Sequence, residues 1–162
     1  MILIMKKIIC LLACCMLMSA AAFAQQHRVF DKGYAGNVSF SAGAILDVPN
    51  AQISTSHGYA FGNGLYMGAG LGIDLNPQFS PIFADVRYTF GKERVRPYVG
   101  LRSGFCPLVP LMYVFIPSVG IDFGRMTAFC SFTHYGAMVG ELKINGYEAV
   151  LRSFNMGISF WF

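Results

Sequence analysis

Residues of alternating character recur along almost the whole chain, with bulky apolar side chains on one phase and glycine, serine or charge on the other. Period-two alternation is the signature of a β-strand whose two faces meet different surroundings, and it recurs about eight times. The runs read as Gly33–Ala44, Gln52–Phe61, Leu65–Leu75, Pro81–Phe90, Val95–Phe105, Leu111–Phe123, Met126–Met138 and Glu148–Phe162. In the third, Leu65, Met67, Ala69, Leu71, Ile73 and Leu75 alternate with Tyr66, Gly68, Gly70, Gly72 and Asp74. The seventh is ambiguous in phase.

Two arrangements satisfy such a pattern. A soluble barrel turns its apolar face inward, whereas an outer-membrane barrel turns it to lipid. Eight strands enclose a lumen that side chains just fill. The Phe, Leu, Tyr and Ile of the major face are too bulky for that space, while the glycines and serines of the minor face suit it. The apolar face therefore points outward. The predicted fold is all-β: a closed, antiparallel, eight-stranded transmembrane barrel with a packed polar interior.

Composition agrees. Hydrophobic residues make up 55% of the 162 and charged residues 12%, about half the charged share of an ordinary globular protein. An aromatic content of 15% excludes a disordered chain. The net charge of +4 is too small and too scattered to predict a nucleic-acid partner.

Residues 1–24 read as a secretory signal peptide. Lys6 and Lys7 precede the apolar run Ile8–Met18, and Ala22-Phe23-Ala24 supplies the small-residue cleavage pattern. Met-Lys-Lys from Met5 is an alternative start. Leu11-Leu12-Ala13-Cys14 loosely resembles a lipobox, but the apolar run before Cys14 is short. The barrel domain then spans 25–162. Losing Lys6 and Lys7 leaves ten basic and eight acidic residues. Only Cys106 and Cys130 remain, which make neither a disulfide framework nor a metal motif. No apolar stretch of the mature chain is long enough for a spanning helix, so a lipid setting leaves the closed barrel.

Gly62-Asn63-Gly64, Gly91-Lys92-Glu93 and Gly124-Arg125 read as tight turns at alternate junctions. Longer links are expected at Ile45–Ala51, Asn76–Ser80, Cys106–Pro110 and Val139–Tyr147. With an even strand number the tight turns would be periplasmic and the longer links external. Tyr34, Phe61, Phe90, Phe123, Phe160 and Phe162 at strand ends fit an interfacial girdle.

The leader ending in Ala22-Phe23-Ala24, the eight alternating strands and the closing Phe160-Trp161-Phe162 resemble the small eight-stranded outer-membrane barrels of Gram-negative bacteria, of the OmpX and OmpA-barrel kind. The resemblance implies residence in the outer membrane as a monomer, among outer-membrane lipid and lipopolysaccharide. It also implies biogenesis through periplasmic chaperones and the barrel-assembly machinery, with Phe160 and Phe162 as the assembly signal. Such folds host many functions.

Gly68-x-Gly70-x-Gly72 lies inside a strand and opens no helix, so it is read as room for inward neighbours and not as a nucleotide loop. The inward charges are more telling. Asp74, Asp85 and Asp122 with Arg87, Arg96 and Arg102 must be paired in so narrow a space, and a salt-bridge network plugging the lumen is expected. A selectivity ring in a narrow channel is the alternative. His57, beside Tyr59 on the apolar phase, reads as a locally hydrogen-bonded interfacial imidazole.

One hairpin carries a chemical suggestion. Phe132-Thr133-His134-Tyr135-Gly136-Ala137 followed by Asn145-Gly146-Tyr147-Glu148 resembles the active-site hairpin of the outer-membrane lipid A 3-O-deacylase. The resemblance implies His134 as general base and Glu148 as its orienting carboxylate. The family's nucleophilic serine falls on Gly136 and its following Asn on Ala137, so no hydroxyl stands beside the base. His134 and Glu148 would meet only if both project outward from adjacent strands. Glu148 shares the outward phase of the last strand, and the more apolar phase of the seventh turns His134 outward too. The expectation is a non-catalytic barrel with a structural or interaction role and no cofactor or metal. An active or lapsed deacylase and a narrow channel are the competing readings.

Overall fold

A computed structural model describes residues 31–45, 48–91, 94–108, 112–137, 143–144, 147–148 and 151–162. The predicted leader therefore lies outside the described residues. The elements are β1 (Gly33–Ile45), β2 (Val48–Ala60), β3 (Leu65–Asp74), a 3-10 turn (Pro77–Phe79), β4 (Ile82–Thr89), β5 (Val95–Cys106), β6 (Met112–Phe123), β7 (Met126–Ala137), β8 (Lys143–Ile144), β9 (Tyr147–Glu148) and β10 (Leu151–Trp161). Eight strands close into an antiparallel barrel in the order β1-β10-β7-β6-β5-β4-β3-β2, and β8 and β9 form a separate two-stranded ladder. The closing seam pairs β1 with β10 from Asn37↔Trp161 to Ile45↔Ser153.

One end of the barrel holds the tight turns. Gly62, Gly64, Gly91 and Gly124 all have positive φ there, the backbone state that hairpin turns demand and only glycine adopts freely. Gly124-Arg125 is a two-residue connection, because Phe123 pairs directly with Met126. The opposite, loop end differs from expectation in two places. No long link separates the first two strands: β1 runs to Ile45, which pairs with Val48. Pro49 and Asn50 suggest a loop by composition, yet they sit at the start of β2, where a missing N–H is tolerated. The last barrel strand begins at Leu151 and not at Glu148. Glu148 pairs instead with Lys143, across an Asn145-Gly146 dipeptide of the hairpin-forming kind.

The two faces are inverted relative to a soluble barrel. Leu71, Ile73, Val86, Val99, Ile121 and Ile158 are all exposed on the outside. A belt of exposed rings, Tyr34, Tyr59, Phe61, Tyr88, Phe90, Phe123 and Phe160, circles the turn end. Within it Tyr59–Phe61 and Tyr88–Phe90 make edge-on pairs at 5.3 and 4.9 Å. Inside lie Asn37, Ser39, Ser54, Ser56, Asp85, Arg87, Thr127 and Thr133, all buried.

The interior is not uniformly polar, which corrects the expectation. Cys106, Met112, Val114, Ile116, Tyr135 and Leu151 form an apolar cluster towards the loop end, and Phe79 of the 3-10 turn meets Tyr135 at a tilt, 5.1 Å between ring centroids. A second apolar cluster, Ala35, Ala60, Tyr66 and Trp161, lies at the turn end. The cause is local: Met112 to Ile116 is apolar on both phases, so alternation there does not show which residues line the lumen.

Inward rings are accommodated by inward glycines. A Cβ on Gly70 would lie 2.8 Å from the Phe83 ring, one on Gly120 would lie 2.6 Å from the Tyr98 ring, and one on Gly157 would lie 2.6 Å from Phe129. The glycine stripe of β3 is thus packing space. Among these side chains lies a cavity of about 20 Å³, lined by Arg87, Tyr98, Arg102, Ile116, Phe129 and small polar side chains, room for about one water.

Leu71 projects outward near the middle of β3, whereas Leu75 follows the strand's last residue. Leu71→Arg is expected to destabilise the barrel by about 2–4 kcal/mol and Leu75→Arg by about 1 kcal/mol or less. Equilibrium unfolding in urea from lipid vesicles checks the difference; equal costs at the two positions would contradict this depth.

Candidate functional site

Two groups of polar residues have the geometry of a site: the charged lumen and the outward face at the loop end of β6, β7 and β10.

In the lumen, Arg87 projects from β4 and makes an ion pair with Asp122 of β6. Asp122 also accepts from Thr127 Oγ1 and, at 3.2 Å, from Thr89 Oγ1. The Arg87 guanidinium lies 3.5 Å from the Tyr98 ring centroid and 4.7 Å from that of Trp161, within the range of cation–π attraction. Trp161 donates from Nε1 to Thr127 Oγ1 at 3.1 Å and meets Tyr66 edge-on at 5.1 Å. Tyr66 in turn shares a 2.8 Å hydrogen bond with Ser56.

Two residues further towards the loop end, Arg102 of β5 donates from Nε to its cross-strand partner Asp85 at 3.2 Å. Its other nitrogens reach Ser54 at 3.2 Å and Ser39 at 3.3 Å. Arg96 is buried and stands opposite Asp122 in the β5–β6 register.

Asp74 stands apart, a correction to the single network expected. It accepts from Asn50 Nδ2 at 2.8 Å and from the backbone N–H of Asn76 at 2.9 Å. The cause is height: Asp74 ends β3 at the loop end, whereas Arg87 and Arg96 lie near the turn end. Trp161 is an interior residue of this network that sequence reasoning missed. Its phase, between outward Phe160 and Phe162, was the available signal.

Phe160 is exposed on the outer face. Phe162 exchanges backbone hydrogen bonds with Gly36, both at 2.9 Å, and meets the His57 ring edge-on at 5.8 Å. His57 is held by Tyr34 Oη at Nδ1, 2.5 Å, and by Thr55 Oγ1 at Nε2, 3.0 Å. Thr55 Oγ1 donates onward to the Asn37 carbonyl at 3.0 Å, so this polar cluster on an apolar face is satisfied within itself.

The deacylase-like residues are placed as follows. On β7, Thr127, Phe129, Ser131, Thr133 and Tyr135 are buried in the lumen, so the even-numbered residues, His134 among them, lie on the outer face. His134 Nε2 meets Tyr113 Oη of β6 at 3.2 Å. Opposite His134 on β10 is Arg152. Glu148 is not on that strand; it belongs to the separate β8–β9 ladder. Tyr113, cross-strand partner of Gly136, lies over it: a Cβ at Gly136 would meet the Tyr113 Cζ, Cε1 and Oη atoms. Sequence reasoning placed Tyr113 outward without seeing this cover. Among the described residues no group of three His, Cys, Asp or Glu side chains is placed to hold a metal ion.

No family model matches the chain, and no curated protein sequence matches it. Solved structures do. The chain is similar to the outer-membrane enzyme PagL, with a TM-score of 0.54 and 14% identity over 76% of this chain and 98% of that one. It is also similar to the N-terminal β-barrel domain of Pseudomonas aeruginosa OprF, with a TM-score of 0.50 and 15% identity over 82% of this chain and 100% of that one. At such identities the likeness is one of fold: the chain has the architecture of the small eight-stranded outer-membrane barrels. An enzyme and a domain described only as a barrel share it, so function must be argued from the site.

The lumen chemistry yields a prediction. Arg87→Ala strands Asp122 in a dry interior and is expected to cost about 3–5 kcal/mol, whereas Arg87→Met with Asp122→Asn is expected to recover much of that loss. Asp74→Ala, remote from the arginines, should leave the Arg87 effect unchanged. Urea midpoints of the parent, the Arg87→Met and Asp122→Asn single variants and their double variant decide it; a double variant as unstable as the two single effects added together would contradict the pairing.

Proposed function

We propose that this chain is a non-catalytic, signal-exported outer-membrane barrel with a structural or interaction role at the cell surface. The observation that carries the reading is the inversion of its two faces: apolar side chains exposed all round the outside, paired charge and interlocked rings within. A water-soluble protein does not expose so continuous an apolar surface, and a conducting pore needs an aqueous lumen, which generally takes more strands. The contacts of Arg87 and Arg102 across the bore support a closed interior over a narrow channel.

The same hairpin that suggests hydrolysis supports its absence. The position of the family's nucleophile is Gly136, and the Tyr113 ring occupies the space a side chain there would need. The expected orienting carboxylate, Glu148, is on a separate ladder, and His134 has Tyr113 as its partner. A lapsed deacylase is the second reading, favoured by the outward placement of His134 alone.

Mass spectrometry of lipid A from cells with and without the chain is expected to show the same acyl chains, and planar-bilayer recording no discrete conductance. Loss of an acyl chain in the parent would overturn the non-catalytic reading. Gly136→Ser with Ala137→Asn is expected to stay inactive while Tyr113 covers the site. If adding Tyr113→Ala to that pair yields deacylation, the chain is a lapsed enzyme.

A further inference from the structure

The outer face is not evenly bulky. On β7 the outward residues shrink to Ala128 and Cys130, while Phe40 and Ile158 rise on one side and Val119 and Ile121 on the other. Together they frame an open apolar groove of about 750 Å³ across β6, β7, β10 and β1.

Above this groove, towards the loop end, the same face turns cationic. Arg152 is exposed on the outward phase of β10, directly across from His134, which Tyr113 holds at 3.2 Å. Neither of the two ion pairs among the described side chains involves Arg152. His134 and Arg152 lie four residues along their strands from Cys130 and Met156, which pair with each other in the groove. That is about 13 Å of strand, which a tilt of about 40° turns into about 10 Å of depth, within one leaflet of the ~25 Å apolar band of such barrels.

We infer that this face binds one membrane lipid with an anionic phosphate headgroup. The inference rests on the membrane-barrel reading above. The phosphate accepts from the Arg152 guanidinium, whose planar fork suits it, with His134 and Tyr113 beside it. The acyl chain descends past Phe132 and Phe154 and ends over Ala128 and Cys130, where it fills the groove that small residues leave.

The test uses the barrel in nanodiscs of phosphatidylcholine doped with phosphatidylglycerol, released into mild detergent and weighed by native mass spectrometry. The parent is expected to retain one phosphatidylglycerol in preference to phosphatidylcholine. Arg152→Gln should reduce that preference roughly tenfold, the loss of one charge-assisted contact. Ala128→Phe, which fills the groove, should reduce retention of both lipids, while Ile73→Phe on a distant part of the outer face should change nothing. Heat-modifiable gel mobility reports whether each variant is a folded barrel. Equal retention of both lipids by the parent, or an unchanged preference in Arg152→Gln, would overturn the inference. So would parent chains cross-linking to each other through Cys130, which would mean that a second copy fills the groove. A parent that never enters the nanodisc would overturn the membrane reading itself.

Discussion

Eight tilted strands close around a bore only as wide as the side chains that project into it. Water cannot stand in such a space as a column, so whatever points inward must interlock. That explains why large rings and glycines alternate inside. Tyr66, Phe83, Tyr98 and Phe129 each extend across the lumen because a neighbouring inward position, Gly68, Gly70, Gly120 or Gly157, has no side chain to obstruct them. The same narrowness decides which face meets solvent or lipid. A bore filled by these rings and their polar neighbours has no room for the Phe, Leu and Ile set, which is left outside.

Charge enters this interior only under strict terms, since an unpaired ion in a dry space is severely disfavoured. Arg102 and Arg87 meet them with partners across the bore. Arg102 contacts side chains of β1, β2 and β4 from its place on β5. Arg87 reaches side chains of β5, β6, β7 and β10 from β4. Between them they touch every barrel strand except β3, which joins through the Tyr66–Trp161 contact. The hydrogen bonds of a barrel wall link only neighbouring strands. These arginines brace it across the diameter.

Most of this was legible because period-two alternation is a strong signal wherever the two phases differ in chemistry. β3, β4 and β5 differ sharply, and their limits and faces follow. β6 does not: Met112 to Ile116 is apolar throughout, so the apolar packing near the loop end could not be separated from the outward surface. Glu148 reads as part of the last strand because the residues after it alternate, and the Asn145-Gly146 turn signal ahead of it competes with that reading. Asp74 joined the arginines on phase alone, although phase gives the face of a strand and not the height along it. The cover of Gly136 by Tyr113 depends on cross-strand register, which no single strand encodes.

The seam that closes the barrel joins β1 to β10, with Asn37 opposite Trp161 and Gly36 bonded both ways to Phe162. The strand synthesised first therefore has no second neighbour until the strand synthesised last is available. Until then both carry an unpaired edge of N–H and C=O groups, the form in which strands adhere to other chains and which hydrocarbon does not tolerate. A fold built this way cannot be threaded into a bilayer strand by strand as a helical bundle can. It can close only when β1 and β10 are both present. Its most vulnerable moment is the interval before those two strands meet.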